Sequence, residues 1–398
     1  MIVLDRVWAG HPVAFALLTE REDQFVAYYD AERRLTIASR KLDENDWTRV
    51  KLPGVVTGWD SHNYLRLALD QDGCLHCSGN MHNDPLVYYR TRKPFDIVTL
   101  ERVEKMTGDR EARCSYPLFF KNAAGELLFR YRDGGSGNGS DVYNIYDLAS
   151  RSWRPLLGTP LLDGEGQRNA YALEPVLGPD GRFHLVWMWR DSPDCMTNHT
   201  LSYARSRDFV HWKTSRGQLL NLPITLARGE VIHAARPGDG LINMTFNLGF
   251  DAEKRPVVVY HRYDTNGCSQ IYAVRPGEPA RQLTNWNFRW SFSGLGSIPT
   301  EVTIGAPRLA KDGNLLVDFW TKVTGAGCWS VGKRVELLPP APPVLPSELM
   351  HASAGMEVRT LVTGRWALRW ETLPCNRDLP RDEIPSPTEL RLYELPNR

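Results

Sequence analysis

The chain has 398 residues, a net charge of +1 and 24% charged residues. That near-neutral balance excludes a basic stripe for nucleic acid and any strong attraction to an anionic membrane surface, and no apolar run approaches the roughly 20 residues of a membrane span. Seven cysteines, an odd number, read as reduced thiols, while 13 tryptophans suit either a β-sheet core or carbohydrate stacking.

The N-terminal MIVLDRVWAGHPVAF lacks a charged start followed by a long apolar core. No signal peptide is read there, and a cytoplasmic location is expected. From Ala14 onward one unit recurs, strand, tight turn, strand. The first copy runs from Ala14 to Arg40 and the second from Tyr64 to Asn80, with Asp72-Gly73 as its turn. Further copies start at Tyr116, Glu174, Met244, Ala306 and Arg359. Most are followed by another strand and a Trp-containing outer strand, as in VYNIYDLASRSWRP from Val142 and LSYARSRDFVHWK from Leu201. The period, roughly 50 to 70 residues, is near that of four-stranded propeller blades. Helical periodicity is absent. The expected fold is all-β, a single seven-bladed β-propeller of four-stranded antiparallel blades over residues 1–398. The Pro-rich LPPAPPVLPSELM from Leu338 is a stiff connector between blades six and seven. The last strand, from Thr388, is expected to share a blade with the N-terminal segment and close the ring.

In a propeller, functional groups gather at one mouth of the channel, so polar residues at inner-strand ends are the candidates. His62 precedes the first strand of the second hairpin and His82 follows its second strand, which puts two imidazoles at one end of a sheet. Asn63, Asn80 and Asn83 flank them. The third unit offers Tyr116, Arg130, Arg132 and Asp133, then the turn GGSGNGSD, which lacks the Lys-Ser/Thr of a phosphate loop. The fourth offers Tyr171, Trp189, Arg190, Asn198 and His199, and the fifth Asn243, His261 and Arg262. WNFRWSFSGLGS, from Trp286, is an aromatic and cationic cluster in a loop. A lone histidine at a strand end is more often structural than functional, and His76, His184 and His211 are read as structural. His233 and His261 stay open. For Arg132 the bland alternative is an ion pair with Asp133 or Asp141, and for Tyr116 it is packing beside Pro117.

Five stretches carry a family resemblance: HNYLRLALDQDGCLHCSGNMHNDPLVYYR, SYPLFFKNAAGELLFRYRDGGSGNG, FHLVWMWRDSPDCMTNHTLSYARS, LGFDAEKRPVVVYHRYD and WNFRWSFSGLGS. Over nearly its whole length the chain resembles the BNR-repeat propellers that include polysaccharide lyases acting on ulvan and on the rhamnose-glucuronate caps of gum arabic. Those lyases pair two histidines twenty residues apart with a tyrosine and an arginine sixteen residues apart. The resemblance therefore implies a catalytic set of His62, His82, Tyr116 and Arg132. It also implies that some members carry calcium or zinc. This sequence shows no EF-hand and no clean Cys/His ligand set, and the expected chemistry requires no cofactor.

That chemistry is β-elimination at a 4-linked uronate. A base removes the C5 proton, the O4 substituent leaves, and a cation neutralises the carboxylate so that charge can move onto it. A histidine suits the base and a tyrosine the acid, while an arginine fork or a protonated histidine suits the clamp. The expected roles are His82 as base, Tyr116 as acid or alternate base, and Arg132 and His62 as clamps. Asn63, Asn80, Tyr171, Trp189, Arg190 and His199 are expected substrate contacts. The expected partner is a uronate-containing oligo- or polysaccharide, with a rhamnosyl-(1→4)-glucuronate bond as the one cut. Two other readings compete. A propeller glycoside hydrolase needs a pair of carboxylates, and a non-catalytic carbohydrate-binding propeller needs none. The sialidase Asp-box survives only as a degenerate echo in SRDFVHW, from Ser206.

Overall fold

An aspartate or asparagine builds the turn of most of the repeated hairpins. Asp70 Oδ1 accepts the backbone N–H groups of Asp72 and Cys74 at 3.0 and 2.8 Å. Asp30, Asn122, Asp251 and Asp264 accept from the residues two and four ahead in the same way. A short side chain that supplies its own hydrogen bonds makes such a turn locally self-sufficient. That is why the unit recurs without a fixed sequence.

The structure, a computed structural model, describes residues 1–56, 58–340 and 345–396. Among them are 3₁₀ turns at Ile97–Thr99, Cys195–Thr197 and Ser347–Leu349 but no α-helix. The strands form seven antiparallel sheets in chain order. Sheet 1 holds Ala16–Glu20, Asp23–Tyr29, Arg34–Lys41 and Thr48–Val55, and sheet 2 holds Leu65–Leu69, Leu75–Gly79, Tyr88–Thr91 and Leu100–Arg102. Sheet 3 is built on Cys114–Lys121, Leu127–Gly135 and Asn138–Asp147, and sheet 4 on Asn169–Ala172, Phe183–Arg190 and Asn198–Ser206. Sheet 5 spans Phe246–Phe250 to Arg281–Gln282, and sheet 6 spans Val302–Ile304 to Val335–Leu338. Sheet 7 joins the two ends of the chain: Glu357–Thr363, Trp366–Thr372 and Thr388–Glu394, then Ile2–Val7 with Val7 opposite Thr388.

Neighbouring sheets bury shared apolar clusters. Leu4, Val26, Leu65 and Leu368 join sheets 7, 1 and 2, and Tyr88 and Phe129 join sheets 2 and 3. Ile145 meets Trp187 between sheets 3 and 4, and Tyr203 meets Val258 between 4 and 5. Val259 meets Val317 between 5 and 6. Each such side chain contributes about 1.5–3 kcal/mol. Between the 5-to-6 linker and sheet 7 the contacts are polar: Arg377 donates to the carbonyls of Ser293 and Leu295, and Asp378 accepts from Ser297 N–H at 2.7 Å. The arrangement is propeller-like. Four residues of the Pro-rich connector, 341–344, lie outside the described residues.

The second unit departs from the sequence reading in one place that matters. The third strand, expected from Pro85, starts at Tyr88. Before it, His82–Asp84 forms a short strand that leaves sheet 2 and pairs with the edge of sheet 3, His82 opposite Ser115. Asn80 at φ 56° and Asn83 at φ 62° make the two bends.

Candidate active site

Pairing of His82 with Ser115 sets the imidazole one residue from Tyr116. Tyr116 has φ 57° and sits where the register between Cys114–Lys121 and Leu127–Gly135 shifts, between Ser115 and Leu118. The extra residue of such a bulge re-aims a side chain. A left-handed conformation at a bulky residue costs about 1–3 kcal/mol, which the surrounding ladder must hold in place.

One carboxylate organises both histidines. Asp60 Oδ1 lies 2.6 Å from His62 Nδ1, and Asp60 Oδ2 lies 2.5 Å from His82 Nδ1. The imidazoles stack, with centroids 4.3 Å apart and planes at 23°. Both Nε2 atoms therefore point away from Asp60, and that of His82 has no hydrogen-bond partner among the described residues. Burial would raise the Asp60 carboxyl, but its two histidine bonds outweigh burial and hold it well below the usual range. The two rings diverge in proton affinity. Burial opposes charge on His62, yet the bond to Asp60 and the field of Asp378, 3.7 Å from Nδ1, leave its pKa raised. At His82 burial, with the charges of His62 and Arg132, wins over Asp60, and the pKa is lowered. So one imidazole favours the cation and its stacked neighbour favours the neutral form.

Tyr116 stands against both, its ring 5.6 Å from His62 and 5.4 Å from His82. Burial keeps its phenol protonated. Tyr171 is the opposite case. Burial raises it, but Arg190, Arg132 and the hydrogen bond with Ser136 bring its pKa below that of a free phenol. Ser136 Oγ and Arg190 Nη1 both lie 3.0 Å from its hydroxyl. The Arg132 guanidinium packs 4.7 Å from the centre of the Tyr116 ring. Its Nε donates to Gly134 O and its Nη2 to Ser115 Oγ, leaving Nη1 without a partner among the described residues. A cavity of about 350 Å³ opens over Asp60, His62, His82, Tyr116 and Tyr171. A second, of about 330 Å³, lies along Arg66, Arg130, Arg132 and Glu174 and shares His62, Tyr116, Tyr171 and Asn243 with the first. Together they make a cleft of a size that holds a few sugar rings.

The BNR repeat-containing family profile matches residues 23–290. The chain belongs to that family. Among curated proteins it is similar to the long isoform of ulvan lyase from Alteromonas sp. (strain LOR), 26% identical over 56% of this chain and 28% of the relative. It is similar also to that of another Alteromonas sp., 22% identical over 66% of this chain and 32% of the relative. The matched part thus spans about a third of those relatives' length. Among solved structures, a PL25 ulvan lyase superposes with a TM-score of 0.66 at 14% identity, over 99% of this chain and 95% of the other. Polysaccharide lyase Uly1 superposes with a TM-score of 0.65 at 13% identity, over 97% and 90%. This BNR protein has their fold.

Of the residues expected from sequence, His62, His82, Tyr116, Tyr171 and Arg190 line the first cavity and Arg132 the second. Arg190 holds no free prong there: its other nitrogens donate to Pro193 O and Asp194 O. Four expected contacts lie elsewhere. Trp189 is 0% exposed and packs on Trp187 in the core, so no ring face reaches a ligand. His199 has both nitrogens engaged, by Thr200 and Asp191. Asn63 is buried, its carbonyl accepting from Tyr29. Asn80 is a bend residue whose side chain holds Val55 O. Trp286 packs with Phe319 and Trp329. The sequence reading missed Asp60, although it stands two residues before His62. It also missed Asp378, whose oxygens cap the N–H groups of Ser61 and Ser297 and which nothing local announces.

Asp60, His62 and His82 are close enough together for one metal ion. Their spacing does not fit one. Tetrahedral zinc with bonds near 2.0–2.1 Å keeps its donors roughly 3.3 Å apart, and calcium wants six to eight oxygens. Contacts of 2.5 and 2.6 Å between oxygen and Nδ1 are those of shared protons.

Proposed function

We propose that this BNR-family protein is a polysaccharide lyase that cuts a rhamnosyl-(1→4)-glucuronate bond by β-elimination. The observation that carries the reading is the stacked histidine pair on one carboxylate, with opposite proton preferences and a protonated tyrosine at its edge. His82 Nε2, neutral and without a partner, takes the C5 proton. The His62 imidazolium faces the uronate carboxylate and offsets the charge that builds there. As the C4–C5 double bond forms, the C4–O4 bond breaks, and the Tyr116 phenol gives its proton to the departing O4. Arg132 contributes its positive charge and its unpartnered Nη1 group rather than a two-pronged fork. Tyr171, acidified by two arginines, stands with its ring 6.0 Å from that of Tyr116 and accepts or returns a proton beside it.

The rhamnose–glucuronate assignment is supported by a structural neighbour, a PL25 ulvan lyase bound to -[GlcA(1-4)Rha3S]-. The ring architecture belongs to the same proposal. Seven sheets with sheet 7 closed by the N-terminal strand are read as a seven-bladed propeller forming one domain, its cleft at one mouth of the channel. Hydrolysis is less well supported. Both oxygens of Asp60 are engaged by imidazoles, which takes it out of the acid–base pair a hydrolase needs. Mass spectrometry of products from a rhamnose–glucuronate polymer tests the reading. Elimination leaves a new end one water lighter than hydrolysis does, and products carrying that water would overturn it.

A further inference from the structure

The degenerate Asp-box echo from Ser206 has no part in the cleft. It builds a rigid turn at the far end of sheet 4. Asp208 accepts from Ser206 Oγ–H and from the N–H groups of Val210 and His211, and pairs with His211 Nδ1 at 2.8 Å. Trp212 is fully buried and donates to Phe209 O. The next turn is fixed by Arg205, whose guanidinium donates to the carbonyls of Thr214 and Ser215. The acidic groups here are already engaged: Asp208 by its own loop, and Asp180 by His184 and Arg182.

Over this frame opens a cavity of about 420 Å³ lined by Arg182, Arg205, Arg207, His211 and Lys213, with Asp208 as its one carboxylate. Arg207 and Lys213 are exposed and make no ion pair among the described residues. Cations held on pre-ordered turns, with local acids neutralised from within, form an anion site that needs little reorganisation to bind. Strand Phe183–Arg190 runs from this cavity to Arg190 in the cleft, and its eight residues span about 27 Å. The two sites are thus at opposite ends of one sheet.

We propose that this cavity is a second binding site, for the sulfate or carboxylate groups of an acidic polysaccharide, and that it tethers the polymer away from the cleft. The choice of a polysaccharide rests on the reading of the cleft; the anion site itself does not. Nucleic acid is disfavoured by the net charge of +1 over the whole chain.

The test is affinity electrophoresis of the full chain in gels containing a sulfated rhamnose–glucuronate polymer, a neutral glucan or duplex DNA. A His82→Ala background keeps the polymer intact. Arg207→Glu/Lys213→Glu is the variant, both positions being exposed, and circular dichroism checks its fold. Retardation by the acidic polymer should fall roughly tenfold or more in the double variant, the loss of one or two charged contacts, with none by the glucan in either. In the His82 background restored to wild type, the double variant should raise KM for the polymer and leave turnover of a short oligosaccharide unchanged. Equal retardation of both proteins, or retardation by DNA alone, overturns the proposal. Failure of the elimination reading would leave the gel result untouched, so the two stand or fall separately.

Discussion

The buried histidine–aspartate pairs inside the sheets and the pair of histidines on Asp60 in the cleft differ in one atom. His76 meets Asp70 at 3.2 Å through Nε2 and Tyr88 at 2.8 Å through Nδ1. His184 repeats that pattern with Asp180 and Tyr203, at 2.9 and 2.6 Å. Both are fully buried and both have each nitrogen engaged. They are fasteners inside sheets. In the cleft, Asp60 takes only the Nδ1 of each histidine, and His82 Nε2 is left without a partner. A carboxylate beside an imidazole therefore says little about function; a vacant second nitrogen on a residue that lines a cavity says much more.

Replacing one member of each class breaks that comparison most sharply. His82→Ala should lower turnover by about 10²–10⁴-fold, the contribution of a positioned proton acceptor, with the melting temperature little changed. His76→Ala should do the reverse: steady-state turnover per folded molecule near normal, but stability lower by about 3 kcal/mol as Tyr88 and Asp70 lose a buried partner. Equal effects of the two on turnover, measured with folded fractions known, would erase the distinction.

Asp60→Asn comes next, with an expected fall of about 10²-fold, because one change releases both imidazoles and removes the anion that sustains charge on His62. The same logic fixes the pH profile of kcat/KM. His82 must be neutral and its pKa is lowered, so activity rises through a value below 6.5. His62 must be charged and its pKa is raised, so activity falls through a value above 6.5. The stability linkage carries the same signs. The His62 contribution is fully present below its unfolded pKa and is lost as pH rises through the folded one; His82, with its pKa lowered, weakens the fold as pH drops below 6.5. Asp60 raises both imidazoles, so Asp60→Asn should carry both limbs of the bell to lower pH, and an alkaline limb that does not move would show that some other group sets it.

Arg132→Lys is expected to cost about tenfold in turnover, roughly 1.4 kcal/mol, since it keeps charge but loses the contacts to Gly134 and Ser115 that hold it over Tyr116. Trp189→Phe should have the smallest effect on catalysis. It sits in the core, so thermal unfolding should register it and KM should not.

These contrasts also mark how far the sequence could be read. The hairpin units were legible because each carries its own turn chemistry, and the strand from Thr388 pairs with the N-terminal strand as expected. His62 and His82 were legible because a hairpin brings its two ends together. Trp189 was misread because strand Phe183–Arg190 is buried on both faces, so alternation gives no clue to which side chains face the cleft. His199 and Arg190 look like donors in sequence, but their partners come from loops whose paths the sequence does not show. Asp378 lies 317 residues from the Ser61 N–H it caps, a contact that only the assembled fold creates.

The most direct test follows the ultraviolet absorbance of the conjugated unsaturated uronate while wild type and His82→Ala act on one rhamnose–glucuronate polymer, with chelator present throughout. Absorbance should climb steadily with the wild-type protein and stay at baseline with the variant. A variant that matches wild type, or a wild type that shortens the polymer without any rise in absorbance, would contradict elimination by His82.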